Sequence, residues 1–272
     1  MVKKWTLFVA LAVTMSVLAA CGGNEASSED KKEVTIGATS GPYSDMVTKA
    51  IKPGLEEKGY TVEVKEFSDY IQPNNALAQG DLDANLFQHK IYMDTFAKQH
   101  NMDLSEVIVV PTAPMGIYSQ KFDSIKDIKE GSAIAIPNDP TNAARAFQIL
   151  EDAKLITLKP DTDPLTVSEK DIAENVKNLQ FKPIEAAQLP RAVDSVDLSA
   201  VPGNYALAAD MDLLDALQLE NMPDQYRNRV VVNTKDVDSQ LAKDIKAVVQ
   251  ADNFEKTIDQ EFKGFGKPEW MK

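Results

Sequence analysis

Only two histidines occur in 272 residues, and one of them, His89, stands in "DANLFQHKIY" two positions after Phe87 and three before Tyr92. If residues 84–88 form a strand, Phe87 and His89 project to the same side, because side chains alternate across a strand. Tyr92 then begins the following helix, and Tyr70, in "FSDYIQ", adds another ring. Such a group can wall a slot for a flexible apolar side chain. A thioether in that slot would gain about 0.3–1.5 kcal/mol per sulfur–aromatic contact. The same residues could equally pack an ordinary core, and spacing alone leaves both readings open.

A second constellation lies in "IPNDPTNAARAF". Arg145 offers a planar two-pronged donor for a carboxylate, best placed near a helix N-terminus. Asn142, three residues earlier, shares its helix face. The alternative is a surface arginine paired with Glu151 or Asp152. Two further amides flank predicted strands: Asn204 in "VPGNYAL" and Asn228 in "QYRNRVVV". Strand ends are where α/β proteins bind ligands, and amide carbonyls there could meet an ammonium group. An asparagine beside a turn also serves simply to form the turn. Rings, a guanidinium and amides are together what a free amino acid needs for its side chain, carboxylate and ammonium.

Signs of catalysis are weak. There is no G-x-S-x-G, Walker loop, G-x-G-x-x-G or H-E-x-x-H. The single cysteine is Cys21, and His89 and His100 have no acidic residue at metal-site spacing. No catalytic residue, metal ligand or cofactor is expected. The formal charge of −13 and pI near 4.7 remove the electrostatic basis for holding nucleic acid, whose affinity comes largely from Lys and Arg on phosphates.

The elements that must position these residues follow a leader. Lys3 and Lys4 precede the apolar stretch Trp5–Ala20, which ends in "LAAC". Residues 1–20 read as a signal peptide, and Leu18–Cys21 as a lipobox, with cleavage before Cys21 and acylation of its sulfur. Losing residues 1–20 removes two lysines and no acid, moving the formal charge from −13 to −15. The polar run Gly22–Glu33 reads as a tether, with residues 21–32 taken as lipidated Cys and linker. From there strands and helices alternate, which predicts an α/β fold with mostly parallel sheets. Strands are expected over 33–40, 61–68, 84–88, on both sides of Pro111, at "SAIAIPND", "LQFKPIEAA" and "LSAV", and at "RVVVNTKD". A helix over "TNAARAFQILEDAKLI" would bury Ala144, Phe147, Leu150 and Leu155. Another is expected over "SEKDIAENVKN", capped by Ser168 with Asp171 at its third position. Pro53 suggests a kink, and Gly59 a helix stop. Extended apolar segments near 109–118 and 230 read as crossings between two lobes: 33–110 with 225–272, and 111–224.

"FSDYIQPNNALAQGDLDANLFQHKIYMDTF", "VPTAPMGIYSQKFDSIKDIKEGSAIAIPNDPTNAARAFQIL" and "AAQLPRAVDS" resemble the methionine-binding lipoproteins of bacterial ABC importers, within the wider family of NlpA lipoproteins. The resemblance runs from the lipobox to the last helix. It implies a two-lobed, periplasmic-binding-protein-like fold with a ligand cleft between the lobes, each a mostly parallel sheet flanked by helices. It implies a lipid-anchored, extracytoplasmic receptor that captures L-methionine or a close relative and delivers it to a permease driven by an ATPase. Carried over by position, Tyr70, Phe87, His89 and Tyr92 surround the ligand side chain. Arg145, with Asn142 beside it, meets the carboxylate, and Asn228, in "YRN", helps to hold the ammonium. Many relatives have Asn where this chain has Pro202, so either Asn204 takes over that contact or the pocket has changed. A dipeptide containing methionine, another amino acid, or an adhesin role on the same scaffold are the alternatives.

Overall fold

The computed structural model describes residues 32–272. The signal peptide, Cys21 and nearly all of the tether lie outside the described residues. Among these residues no helix is long and apolar enough to cross a membrane.

Two five-stranded sheets organise this part of the chain. The first has the order β2-β1-β3-β12-β4, with β1 Lys32–Thr39, β2 Tyr60–Phe67, β3 Ala84–His89, β4 Leu104–Val109 and β12 Asn228–Asn233. The second has the order β11-β5-β10-β6-β9, with β5 Gly116–Tyr118, β6 Ala133–Pro137, β9 Gln180–Ile184, β10 Leu198–Val201 and β11 Gln218–Leu219. The chain therefore passes from the first sheet to the second between Val109 and Gly116 and returns between Leu219 and Asn228.

Each sheet is evenly mixed rather than mostly parallel. β1 runs parallel to β2 and β3, while β12 is antiparallel to β3 and β4. β6 runs parallel to β9 and β10, while β5 is antiparallel to β10 and β11. The strands next to the crossings, β4, β12, β5 and β11, all take part in antiparallel pairs. They are not joined to their neighbours by the helical crossover that forces a parallel pair.

Helices cover both sheets, so central strands are buried on both faces and read as near-continuous apolar runs. In β12, Val230 and Val232 face the cluster containing Ile36, Leu86, Ile245 and Phe254, while Val231 faces Phe67, Leu77 and Met93. In the second sheet, Ile134 and Ile136 pack with Phe147 and Leu150, and Ala135 turns to Leu189 and Val201. The helix Pro140–Asp152 (α5) buries Ala144, Phe147 and Leu150, as its 3.6-residue spacing requires.

Two local expectations need amendment. The first helix runs as Pro42–Met46 (α1), a π-helical turn Val47–Ile51, and Lys52–Glu56 (α2). Lys52 N–H bonds to the carbonyl of Val47, five residues back. The irregularity anticipated at Pro53 thus falls just ahead of it, next to the residue with no N–H to give. α2 ends at Glu56, and the turn that follows closes at Gly59, whose φ of 87° suits a residue without Cβ. The helix expected over "SEKDIAENVKN" does not form. Ser168 and Asp171 do cap a turn, with Asp171 Oδ2 accepting from Ser168 N–H (2.9 Å) and Oγ (2.7 Å). That turn ends at Asp171, and Ile172–Asn175 (β8) pairs antiparallel with Ile156–Leu158 (β7). Ile172 packs against the core around Phe147, so tertiary pairing outweighs a cap that stabilises only its own first turn.

Candidate ligand site

β3 ends where Lys90–His100 (α4) begins, and His89 is the N-cap. Its Nδ1 accepts the Tyr92 N–H at 3.1 Å. With Nδ1 an acceptor, the neutral ring carries its proton on Nε2, which donates to Asn142 Oδ1 at 3.2 Å. Asn142 belongs to α5, on the second sheet, so this hydrogen bond crosses between the sheets. Two more cross beside it. Tyr70 OH donates to Asn204 Oδ1 (2.7 Å), and Tyr205 OH to the Ser68 carbonyl (3.1 Å).

Between the sheets these residues line a cavity of about 10 Å³, roughly the room one water needs, so a ligand enters only when the two sheets part. All eight residues singled out in the sequence line it: Tyr70, Phe87, His89 and Tyr92 from the first-sheet side, Asn142, Arg145 and Asn204 from the second, and Asn228 at the start of β12. The rings form a connected wall. Tyr70 stacks on Phe87 with centroids 5.9 Å apart, and Tyr92 meets Phe87 edge-on at 6.0 Å. Tyr92 OH donates to the Tyr70 carbonyl at 3.0 Å, which fixes the two rings relative to each other.

Polar groups on the opposite side are presented unevenly. Asn142 has little left to offer a ligand: its Nδ2 donates to Asp139 (3.0 and 3.1 Å), and its Oδ1 accepts from both His89 and Arg145 Nη1 (2.9 Å). Its job is to aim those two. Asn228 gives its Nδ2 to the Phe87 carbonyl (2.9 Å), and among the described residues nothing donates to its oxygen. That oxygen suits an ammonium. Asn204 is the reverse. Its oxygen is taken by Tyr70, and its buried Nδ2 has no partner among the described residues. Asn204 thus has a donor to give, which suits a ligand oxygen, while its oxygen already accepts from Tyr70.

Arg145 is not paired with Glu151 or Asp152. Its Nε and Nη2 donate to Glu220 at 2.8 and 2.6 Å, with both side chains buried. Burial opposes the guanidinium charge, but the Glu220 carboxylate overcomes it and holds the Arg145 pKa above its usual value. Tyr226 backs this corner, its ring 5.5 Å from the guanidinium carbon and edge-on to His89 at 5.2 Å.

Sequence reasoning did not find Glu220, Tyr226, Tyr43 or Thr112. Tyr43 and Thr112 line the cavity, and Thr112 Oγ1 accepts the Asn228 N–H at 2.8 Å. Tyr226 did carry a signal, as the Tyr of "YRN". Glu220 stands 75 positions from its partner in a stretch without pattern.

Burial, and next the charge of Arg145, push the His89 pKa well below its usual 6.5, although the hydrogen bond to Asn142 pulls the other way; Arg229 adds to the depression. The native ring is thus neutral. Below about pH 6.5 the unfolded chain takes up a proton that the native ring refuses, so this contribution is complete above that pH and declines as pH falls toward the native pKa. Between about pH 7.5 and about pH 5.5 the wild-type melting temperature should fall further than that of His89→Gln, by roughly 2–4 °C for each kcal/mol involved. Parallel profiles would show that the ring is not held neutral.

Comparison with known proteins adds to this geometry. The family model described as NlpA lipoprotein matches residues 34–270. The chain is 34% identical over 267 residues to the methionine-binding lipoprotein MetQ of Bacillus subtilis, covering 96% of this chain and 97% of that one. Among solved structures it is similar to a nutrient binding protein from Burkholderia cenocepacia bound to methionine, with 39% identity, a TM-score of 0.80, and coverage of 85% of this chain and 97% of that one. It is also similar to an ABC transporter periplasmic substrate-binding protein from Coxiella burnetii, with 34% identity, a TM-score of 0.81, and coverage of 86% and 100%.

Proposed function

The chain belongs to the NlpA lipoprotein family, and from that premise we propose that it is the substrate-binding protein of an importer, capturing methionine or a close relative. One observation carries this reading: a ring wall from the first sheet and a buried guanidinium from the second face the same enclosed space. The free oxygen of Asn228 and the free Nδ2 of Asn204 complete a set that meets each part of a zwitterion. The rings take the side chain, Arg145 and Asn204 the carboxylate, and Asn228 the ammonium. His89 and Asn142 hold this set together. The names of the relatives, which bind methionine or serve ABC transporters, support the same reading.

The two lobes are 33–110 with 225–272, and 111–224, moving about the crossings near Val110–Met115 and Glu220–Arg227. Opening between them breaks the inter-sheet hydrogen bonds His89–Asn142, Tyr70–Asn204 and Tyr205–Ser68, among others, and lets the ligand out. Ligand is handed to a permease driven by an ATPase, with no chemistry performed on it. The protein is extracytoplasmic and anchored through acylated Cys21. Mass spectrometry of small molecules released by denaturing the purified protein tests the reading. Methionine or a close relative, near one per chain, is expected. A protein that releases none, and to which calorimetry detects no binding of L-methionine, D-methionine or Gly-Met after refolding, would end it.

A further inference from the structure

Among the described residues lining the cavity, Arg145 is the only one that carries a charge, since His89 is neutral. Its charge is already answered from behind. Glu220 does not line the cavity; it lies just after β11, on the return crossing, and takes Arg145 Nε and Nη2 on its two oxygens. The same Oε2 accepts the Met115 N–H at 3.0 Å, from the outward crossing. One carboxylate thus fastens the guanidinium to both crossings and fixes its plane, while Nη1 reaches Asn142. The side chains of Arg145 and Glu220 are 6% and 4% exposed, so water screens the pair little. Without Glu220 the cavity would present a buried, unbalanced cation. With it, the cavity is close to neutral: the bonds to Glu220 and Asn142 leave two of the five guanidinium N–H groups uncommitted, beside the Nδ2 of Asn204 and the oxygen of Asn228, both unpartnered among the described residues.

We propose that Glu220 is a positioning residue for ligand binding: it aims Arg145 and cancels its charge, so that the cavity takes a zwitterion and turns away the corresponding anion that lacks an ammonium. The proposal rests on the methionine reading and deepens it by giving the charge state of the ligand a structural cause. An uncancelled guanidinium would repel the ligand's ammonium and so remove the advantage of the zwitterion.

Calorimetry with L-methionine and with 4-(methylthio)butanoate, the same chain without its amine, reads this out. Wild type should prefer methionine by at least about tenfold, the value of a hydrogen bond to a charged group. In Glu220→Gln that preference should fall by about tenfold or more, because a charge is left unbalanced in a poorly screened site. Glu220→Asp keeps the charge one methylene short, so it should weaken both ligands by a similar factor and leave the preference in place. A merely structural Glu220 would lower the melting temperature and weaken both ligands alike in Glu220→Gln, and an unmoved preference there overturns the proposal. If Glu220→Gln does not fold, Glu220→Asp decides: wild-type affinities for both ligands, or a changed preference, overturn it. A wild type that binds neither ligand defeats the methionine reading itself, whereas one that binds methionine with an unmoved preference in Glu220→Gln defeats only the role of Glu220.

Discussion

Arg145→Met is expected to weaken methionine binding about 100-fold, since hydrogen bonds to charged groups contribute about 1.5–3 kcal/mol each and the ligand carboxylate would lose its cationic donor. The variant should also lower the melting temperature of the ligand-free protein. Glu220, 4% exposed at its side chain, would be left as a buried carboxylate without its counter-charge, and breaking such a pair costs about 3–5 kcal/mol. The two effects separate in the double variant Arg145→Met/Glu220→Gln. Removing the second charge should restore most of the melting temperature, because no ion is then stranded, but it cannot restore the affinity. Calorimetry and a thermal melt on both variants check this. A wild-type dissociation constant in Arg145→Met would take Arg145 out of the site, and with it the assignment of the cavity.

Gly203→Ala should damage folding and binding together through sterics alone. A Cβ on Gly203 would collide with the Pro114 carbonyl oxygen and lie 2.7 Å from Ala113 Cβ and 2.8 Å from Ala113 C. Two of these are backbone atoms of the outward crossing, which cannot step aside as a side-chain tip could. Gly203 opens the short helix Gly203–Ala208 (α7), directly ahead of Asn204. Pushing the crossing away from this helix moves Ala113 and Asn204, both of which line the cavity. Overpacking of this kind costs about 1–3 kcal/mol, or roughly 2–4 °C per kcal/mol for a domain of this size. Because Tyr70 grips Asn204 across the cleft, methionine affinity should drop about tenfold, the worth of one displaced charge-assisted hydrogen bond. A folded variant with an unchanged melting temperature and affinity would show that the crossing yields easily, contrary to its tight packing.

Much of the site was legible because it is written at short range. Phe87 and His89 share a strand face, Tyr92 follows within the first turn of a helix, and Asn142 and Arg145 share a helix face. Periodicity alone brings such residues together. What the eight residues do with their hydrogen-bonding atoms was not legible. Whether Asn204 offers a donor or an acceptor depends on Tyr70, 134 positions away. Asn142 is spent on its helix neighbours Asp139 and Arg145 and, across the sheets, on His89. His89 is at once a helix cap and a cavity residue, although from sequence a core role and a ligand role looked like alternatives. The segment "SEKDIAENVKN" failed as a helix for a related reason, since its strand partner at Ile156–Leu158 lies outside any local window.

By itself the sequence determined the α/β class, most of the strands and helices, and which residue types could meet a zwitterion, because all of these rest on local periodicity, caps and side-chain chemistry. Only the tertiary structure decided the mixed strand directions, the pairing of Arg145 with Glu220, and which amide atoms remain free. Those depend on contacts between residues tens of positions apart, formed only when the two sheets pack against each other and water is removed from between them.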